Sequence, residues 1–228
     1  MNNEIQHRLM QLRQRVSVAE LAAGFTPGRV QILAVSKQQS AEKIRAAYAA
    51  DQRAFGESYL QEALSKMPLL ADLAIEWHFI GAIQLRKCVA IAKHFSWVHS
   101  VDRIAVAKKL SQARPVDLPP LNICIQVNIT AEPTKAGIGL DEIAELAAQI
   151  ALLPHLRLRG LMTIPEPNND MVVQKNLFSQ LASALQKLIQ QGFEVDTLSM
   201  GMSDDFAAAI AAGATWIRVG TAIFAARS

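Results

Sequence analysis

The sequence predicts an α/β fold, a single (β/α)8 TIM barrel with an additional N-terminal helix. Three observations carry that prediction. Short apolar runs recur eight times, each leaves room for a helix after it, and no linker or low-complexity tract divides the 228 residues. Strands alternating with helices imply parallel pairing with right-handed crossovers. Eight such units in a chain of this length fit a closed barrel at the compact end of its range. An open doubly wound sheet uses the same alternation, because periodicity alone does not show closure.

The elements follow in order. Ile5, Leu9, Leu12, Val16, Ala19 and Ala23 are spaced by three or four, which predicts an amphipathic helix over 3–23. Gly24 and the pair Pro27-Gly28 end it. Residues 30–35, Val-Gln-Ile-Leu-Ala-Val, form the nearly continuous apolar run of a strand buried on both faces. Ser40 then caps a helix running through Ala50, with Glu42 in its first turn. Further strands are expected at 53–56, 77–80, 97–101, 122–129, 156–164, 197–200 and 216–219, with helical patterns at 141–153 and 174–191. The Pro-containing stretch 113–120 is a loop feeding the fifth strand, so residues 1–228 are expected to form one domain.

Composition excludes several classes of function. At 51% hydrophobic and 19% charged the chain can bury a core and is not disordered. Mean hydropathy is +0.17. The apolar stretch 206–217 is broken by Arg218, short of the about 18–20 residues a membrane span needs. Residues 1–16 are charged and amphipathic, without the apolar core of a secretory signal, so a cytoplasmic location is expected. Basic residues outnumber acidic ones 23 to 20, but they are scattered, and no basic face or known module suggests nucleic acid. Cys88 and Cys124 stand far apart, without a CxxC or a nearby histidine pair, as structural thiols do in a reducing compartment. No metal site is expected.

The carboxyl ends of barrel strands line the active face. The first apolar run stops at Ser36-Lys37. A lysine there keeps its stem among apolar neighbours and its amine at the mouth, where desolvation lowers the pKa toward what imine formation with an aldehyde requires. A solvated surface lysine leaves the same trace in a sequence. The eighth run stops at Arg218-Val-Gly220-Thr221, and Thr221 opens a short helical pattern. Glycine permits close backbone approach, and unpaired amides with the Thr221 hydroxyl offer donors to a phosphate after strands seven and eight. The seventh strand leads into Gly201-Met-Ser203. Ser203 can add a hydroxyl to that phosphate, and it equally suits the N-cap of a helix over 204–212. Lysine and phosphate donors together point to a phosphorylated carbonyl compound held as a Schiff base.

A resemblance runs through Ala34-Val-Ser-Lys37, Phe55-Gly-Glu57, Trp77-His-Phe-Ile-Gly81, His99-Ser-Val-Asp102, Lys135-Ala-Gly137, Leu158-Arg-Gly-Leu-Met162, Gly201-Met-Ser-Asp204 and Arg218-Val-Gly-Thr-Ala-Ile-Phe224. On these segments the chain resembles the pyridoxal phosphate homeostasis family (YggS/PROSC-like), whose fold is that of the alanine racemase N-terminal barrel. The resemblance implies that Lys37 forms the internal aldimine with pyridoxal 5'-phosphate (PLP). It implies also that Ser203, Gly220 and Thr221 hold the phosphate and that Arg218 faces the pyridine nitrogen; a salt bridge to a nearby carboxylate is the other use of that arginine. Glu57, Ser58, His78, Gln84, Asn128 and Met162 fall at or soon after strand ends and are candidates to wall the cofactor, each as well suited to packing or a structural hydrogen bond. His99 and Asp102 are expected to pin the loop after strand four, and Lys135 to be a solvated loop lysine. The chain departs from common family patterns at Ser58, where asparagine is frequent, at Ala82, where proline is usual, and at Leu85-Arg86-Lys87. Serine is shorter than asparagine and has no carbonyl acceptor.

The function implied is intracellular PLP homeostasis, as a carrier or buffer without substantial turnover, with PLP-dependent apoenzymes as recipients. Guanidinium only donates hydrogen bonds, so a pyridine nitrogen facing Arg218 stays unprotonated and the ring is a poorer electron sink. Racemisation needs a second acid/base, which in the racemases is a tyrosine from a separate domain. Here Ser228 ends the chain, Tyr48 falls in a helical pattern and nothing in the sequence aims Tyr59. A small amino-acid racemase and a Schiff-base aldolase acting on a sugar phosphate are the enzyme alternatives. The strand-end face is used by the cofactor and no second large interface is evident, so a monomer is expected.

Overall fold

A parallel barrel exists only if its first and last strands pair. In the computed structural model, which describes residues 2–130, 132 and 135–225, they do. The strands are β1 (Gln31–Val35), β2 (Ala54–Glu57), β3 (Glu76–Phe79), β4 (Trp97–Val101), β5 (Leu121–Gln126), β6 (Leu156–Met162), β7 (Thr197–Ser199) and β8 (Trp216–Val219). They pair in sequence order, all parallel, and the barrel closes where β1 meets β8 with Gln31 opposite Trp216 and Ala34 opposite Val219. The open sheet is thereby excluded.

The helices are α1 (Asn2–Ala22), α2 (Ala41–Ala49), α3 (Leu60–Lys66), α4 (Cys88–His94), α5 (Ile104–Ala113), α6 (Ile143–Ala151), α7 (Met171–Gln190), α8 (Phe206–Ala211) and α9 (Thr221–Phe224). Helix α1 precedes the barrel. It buries Ile5, Leu9, Leu12 and Val16, the stripe expected from the spacing, and packs on α2, α8 and α9. Ser40 caps α2 through its hydroxyl, which accepts from Lys43 N. Among the described residues no helix is long and apolar enough to cross a membrane, and no cluster of three metal-ligating side chains occurs.

Two strands stop two or more residues short of their expected ends. β5 ends at Gln126: Val127 N still donates to Met162 O at 2.8 Å, but on its other side the chain bridges Ile138 instead of continuing the strand. β6 ends at Met162, after which the Thr163 hydroxyl donates to Val127 O at 2.8 Å. The helix expected from residue 204 begins at Phe206, with Asp205 rather than Ser203 at the N-cap. Asp205 carries a carboxylate that accepts from Met202 N at 2.5 Å, which closes the turn before the helix can start.

The barrel interior is not aliphatic throughout. His78 stacks on Trp97, with centroids 5.4 Å apart and planes 4° apart, and Trp216 lies 4.9 Å from the same imidazole. Trp97 also packs with Cys124 and Met162 in a small buried cluster.

Glu20 of α1 locks the helix to the barrel. Fully buried, it accepts from Val30 N at 2.6 Å and from Gly28 N at 2.9 Å, the two amides that lead into β1. Glu20→Ala strands both, and hydrogen bonds to charged acceptors are each worth about 1.5–3 kcal/mol. Urea denaturation should show a loss of about 2–4 kcal/mol, with Glu20→Gln losing less.

Candidate functional site

Closure of β1 on β8 sets the residues after both strands side by side. A cavity of about 260 Å³ opens there, lined by Val35, Lys37, Ser58, Ile80, Ile164, Met202, Ser203, Asp204, Arg218, Gly220 and Thr221. Of the residues singled out in the sequence, Lys37, Ser58, Ser203, Arg218, Gly220 and Thr221 therefore meet in one place. Lys37 is exposed on this wall and its Nζ makes no hydrogen bond among the described residues. The desolvation expected for it is not supplied by the protein alone. The Thr221 hydroxyl donates to Ser203 Oγ at 2.9 Å, so these side chains from two different loops form one polar corner. Gly220 supplies the N-cap of α9, and the amides of Gly220, Thr221 and Ala222 find no acceptor among the described residues. A side chain at position 220 would press against Val35 O, 3.3 Å from its Cβ.

Ser58 reaches the cavity through an unusually close backbone crossing. A Cβ at Gly81 would sit 2.1 Å from Ser58 O, so only glycine lets the loop after β3 pass under the loop after β2.

Arg218 is the buried wall of the cavity, 4% exposed. Its Nη1 donates to Ser199 O at 2.6 Å and Ser199 Oγ at 2.9 Å, and its Nη2 donates to Thr163 O at 2.8 Å. No carboxylate pairs with it among the described residues, so strand-end carbonyls carry the charge. Burial lowers its pKa to about 10, which leaves it a cation at neutral pH.

Behind Arg218 a line of buried polar groups crosses the barrel. Ser199 Oγ lies 2.8 Å from His99 Nδ1, and His99 Nε2 lies 2.9 Å from His78 Nδ1. His78 Nε2 then faces Glu76 Oε1 at 3.4 Å, a contact too poorly aligned to count as a hydrogen bond. Because Arg218 only donates, a saturated network requires Ser199 to donate to His99 Nδ1. His99 then donates from Nε2 to His78 Nδ1, and the His78 Nε2 proton points at Glu76. Burial holds both imidazoles below the usual histidine value, His99 furthest, because His78 and Arg218 also stand against a second charge there. Glu76 borders a second cavity of about 390 Å³ at the opposite end of the barrel, so the line runs from floor to mouth.

Other candidates lie elsewhere. Met162 is fully buried with Trp97 and Cys124 and does not line the cavity: the strand ends at this residue with its side chain turned into the barrel. His99, expected to pin the loop after β4, and His78, a candidate for the cofactor wall, both point into the core. Glu57 is buried against Ser36 and Lys66, and its Oε2 has no partner among the described residues. Asn128 donates to Glu132 O at 2.8 Å, Gln84 is exposed, and Lys135 pairs with Glu132 at 2.7 Å. Asp102 pairs with Arg103, whose Nη2 donates to Ile83 O. Sequence reasoning missed Ser199, Thr163 and Lys66. The first two sit at strand ends and were open to the same logic as Lys37, whereas nothing in the helical pattern around Lys66 marks it.

The model of the alanine racemase N-terminal domain family matches residues 4–228. The pyridoxal phosphate homeostasis protein of Pseudomonas aeruginosa is 51% identical over 223 residues, 98% of this chain and 96% of that protein. Its counterpart in Escherichia coli K12 is 48% identical over 228 residues, 99% of this chain and 97% of that one. Among solved structures, PipY of Synechococcus elongatus with PLP bound superposes with a TM-score of 0.86 at 38% identity, covering 96% of this chain and 99% of that one. Alanine racemase from Corynebacterium glutamicum shares the fold alone, with a TM-score of 0.70 at 19% identity over 98% of this chain and 60% of its own.

The buried histidines give the ligand-free chain an acid-side weakness. Unfolded imidazoles take up a proton below about pH 6.5, whereas these two, with lowered folded-state values, resist it. Their contribution is complete above that pH and is lost as pH falls through it, by up to about 1.4 kcal/mol per pH unit for each. Urea midpoints at about pH 7.5 and about pH 5.5 should therefore separate, and His99→Gln should narrow the gap. An unchanged gap in that variant would assign the weakness to other groups.

Proposed function

The chain belongs to the alanine racemase N-terminal domain family and, within it, to the pyridoxal phosphate homeostasis proteins; from that premise we propose that the cavity at the β1 and β8 ends holds PLP, with Lys37 as the capturing amine. The observation that carries the reading is one cavity shared by an unbonded primary amine from the loop after β1 and hydroxyl donors from the loops after β7 and β8.

The donor set suits this ligand group by group. A phosphate only accepts, and it would be held by the Ser203 and Thr221 hydroxyls with the free amides at the start of α9. A pyridine nitrogen accepts, and it would face the guanidinium of Arg218. Ser58 and Ile164 would flank the ring. Bound there, PLP supplies an aldehyde that a primary amine captures as a C=N bond with loss of the oxygen as water, on a ring that takes up electrons.

The chain's own residues favour holding over turnover. Arg218 is kept charged and is spent on three hydrogen bonds to Ser199 and Thr163, so it donates to a ring nitrogen without surrendering a proton. That restrains carbanion chemistry. Tyr59 is 52% exposed and does not border the cavity, so no phenol is aimed at the face opposite Lys37. Lys37 and Thr221 are both exposed, which leaves a route for exchange. We read the protein as a cytoplasmic, monomeric PLP carrier or buffer, one domain throughout, that passes its cofactor to PLP-dependent apoenzymes.

Loading with PLP, borohydride reduction and peptide mapping should find one adduct, on Lys37. Lys37→Ala should lose both the adduct and the visible absorbance, and an adduct persisting on another residue would overturn the assignment. Thr221→Val should weaken PLP binding about tenfold, the worth of one hydrogen bond to a charged group. Incubation with amino acids in deuterium oxide should show no appreciable exchange at the α-carbon. Robust exchange that depends on Tyr59 would make the protein a racemase-type enzyme.

A further inference from the structure

We propose that Lys66 is the positioning residue for Lys37, a buried ammonium that ties down both flanks of the loop presenting the capturing amine. The inference rests on Lys37 being that amine. Lys66 closes α3 and is 6% exposed. Its Nζ donates to Ser36 O at 2.9 Å and to Gln39 O at 3.3 Å, the carbonyls on either side of Lys37-Gln38. The same nitrogen lies 2.7 Å from Glu57 Oε1 and 2.7 Å from Glu62 Oε1.

Both carboxylates extend the clamp. Glu57 Oε1 accepts from the Ser36 hydroxyl at 2.6 Å, and Glu62 Oε1 accepts from Gln38 N at 2.5 Å. Gln38 has φ of 61°, the left-handed region that a residue with a Cβ rarely adopts. Such a conformation persists where the surroundings over-determine it, and here residues 36, 38 and 39 are all held from the α3 side. Lys37 alone is left to face the cavity.

Stability alone does not account for an ammonium at this place, because well-packed apolar residues commonly replace buried ion pairs without loss. An apolar side chain cannot, however, bind two carbonyls that bracket one residue. Positional control of the reacting amine is what the charge adds, and small misplacements of a reacting group are costly in rate.

The test compares PLP with pyridoxine 5'-phosphate, which carries the same phosphate and ring with an alcohol in place of the aldehyde. In Lys66→Met the rate at which PLP becomes borohydride-fixable on Lys37 should fall on the order of tenfold to a hundredfold, while affinity for pyridoxine 5'-phosphate stays within about twofold. Lys66→Arg, which can still donate to both carbonyls, should recover much of the rate. If the methionine variant does not fold because Glu57 is stranded, Lys66→Met with Glu57→Gln removes that charge and carries the same expectation. Equal losses for the two ligands would mean a merely structural lysine, and an undiminished capture rate would also overturn the proposal. Fixation surviving in Lys37→Ala with Lys66 intact would instead remove the assignment of Lys37 itself, and the clamp's purpose with it.

Discussion

Parallel pairing of β1 with β8, Gln31 through Ala34 against Trp216 through Val219, makes the two ends of the chain one surface. Each strand delivers its next residues to the same rim, so Lys37 and the Gly220-Thr221 corner share a cavity only in this register. Side chains alternate along a strand, and a slip of one residue would turn Arg218 out of the barrel and Val219 in. The contact is also among the longest-range in the chain, so it depends on all six intervening strands being in place.

The second constraint is the buried charge of Arg218. A cation without a carboxylate partner is costly in a dry interior, and the barrel meets that cost with backbone dipoles at the ends of β6 and β7. Because guanidinium cannot accept, its hydrogen bonds propagate a single donor direction through Ser199, His99 and His78 toward Glu76. Indoles on two sides of His78 exclude water from that line. Rigidity at the mouth is thus underwritten by polar order deep in the barrel, where an aliphatic filling would have left the arginine unsupported.

Much of this was legible from the chain. Eight apolar runs were visible because strands covered on both faces have little polar content, and Lys37, Ser203, Gly220 and Thr221 stood out because each follows such a run. Two residues sit otherwise than their type and position suggest, for local reasons. Ser203 is the expected N-cap by residue type, yet Asp205 takes the position because its longer reach closes on Met202 N. Met162 follows the same strand-end logic as Lys37, but the parity of its strand turns it into the core beside Cys124. Parity shifts at the irregularity between β5 and β6, which no apolar pattern reveals.

By itself, then, the order of residues determined the alternation of strands and helices, the apolar stripe of α1, and which chemical groups stand at the strand ends. All of these are local properties, set by periodicity, caps and glycines over a few neighbours. Tertiary structure alone decided that the sheet closes, that Arg218 rests on carbonyls rather than a carboxylate, and that Lys66 bridges Ser36 and Gln39. Those are meetings between segments remote in sequence, and their partners are chosen by where the whole barrel places them.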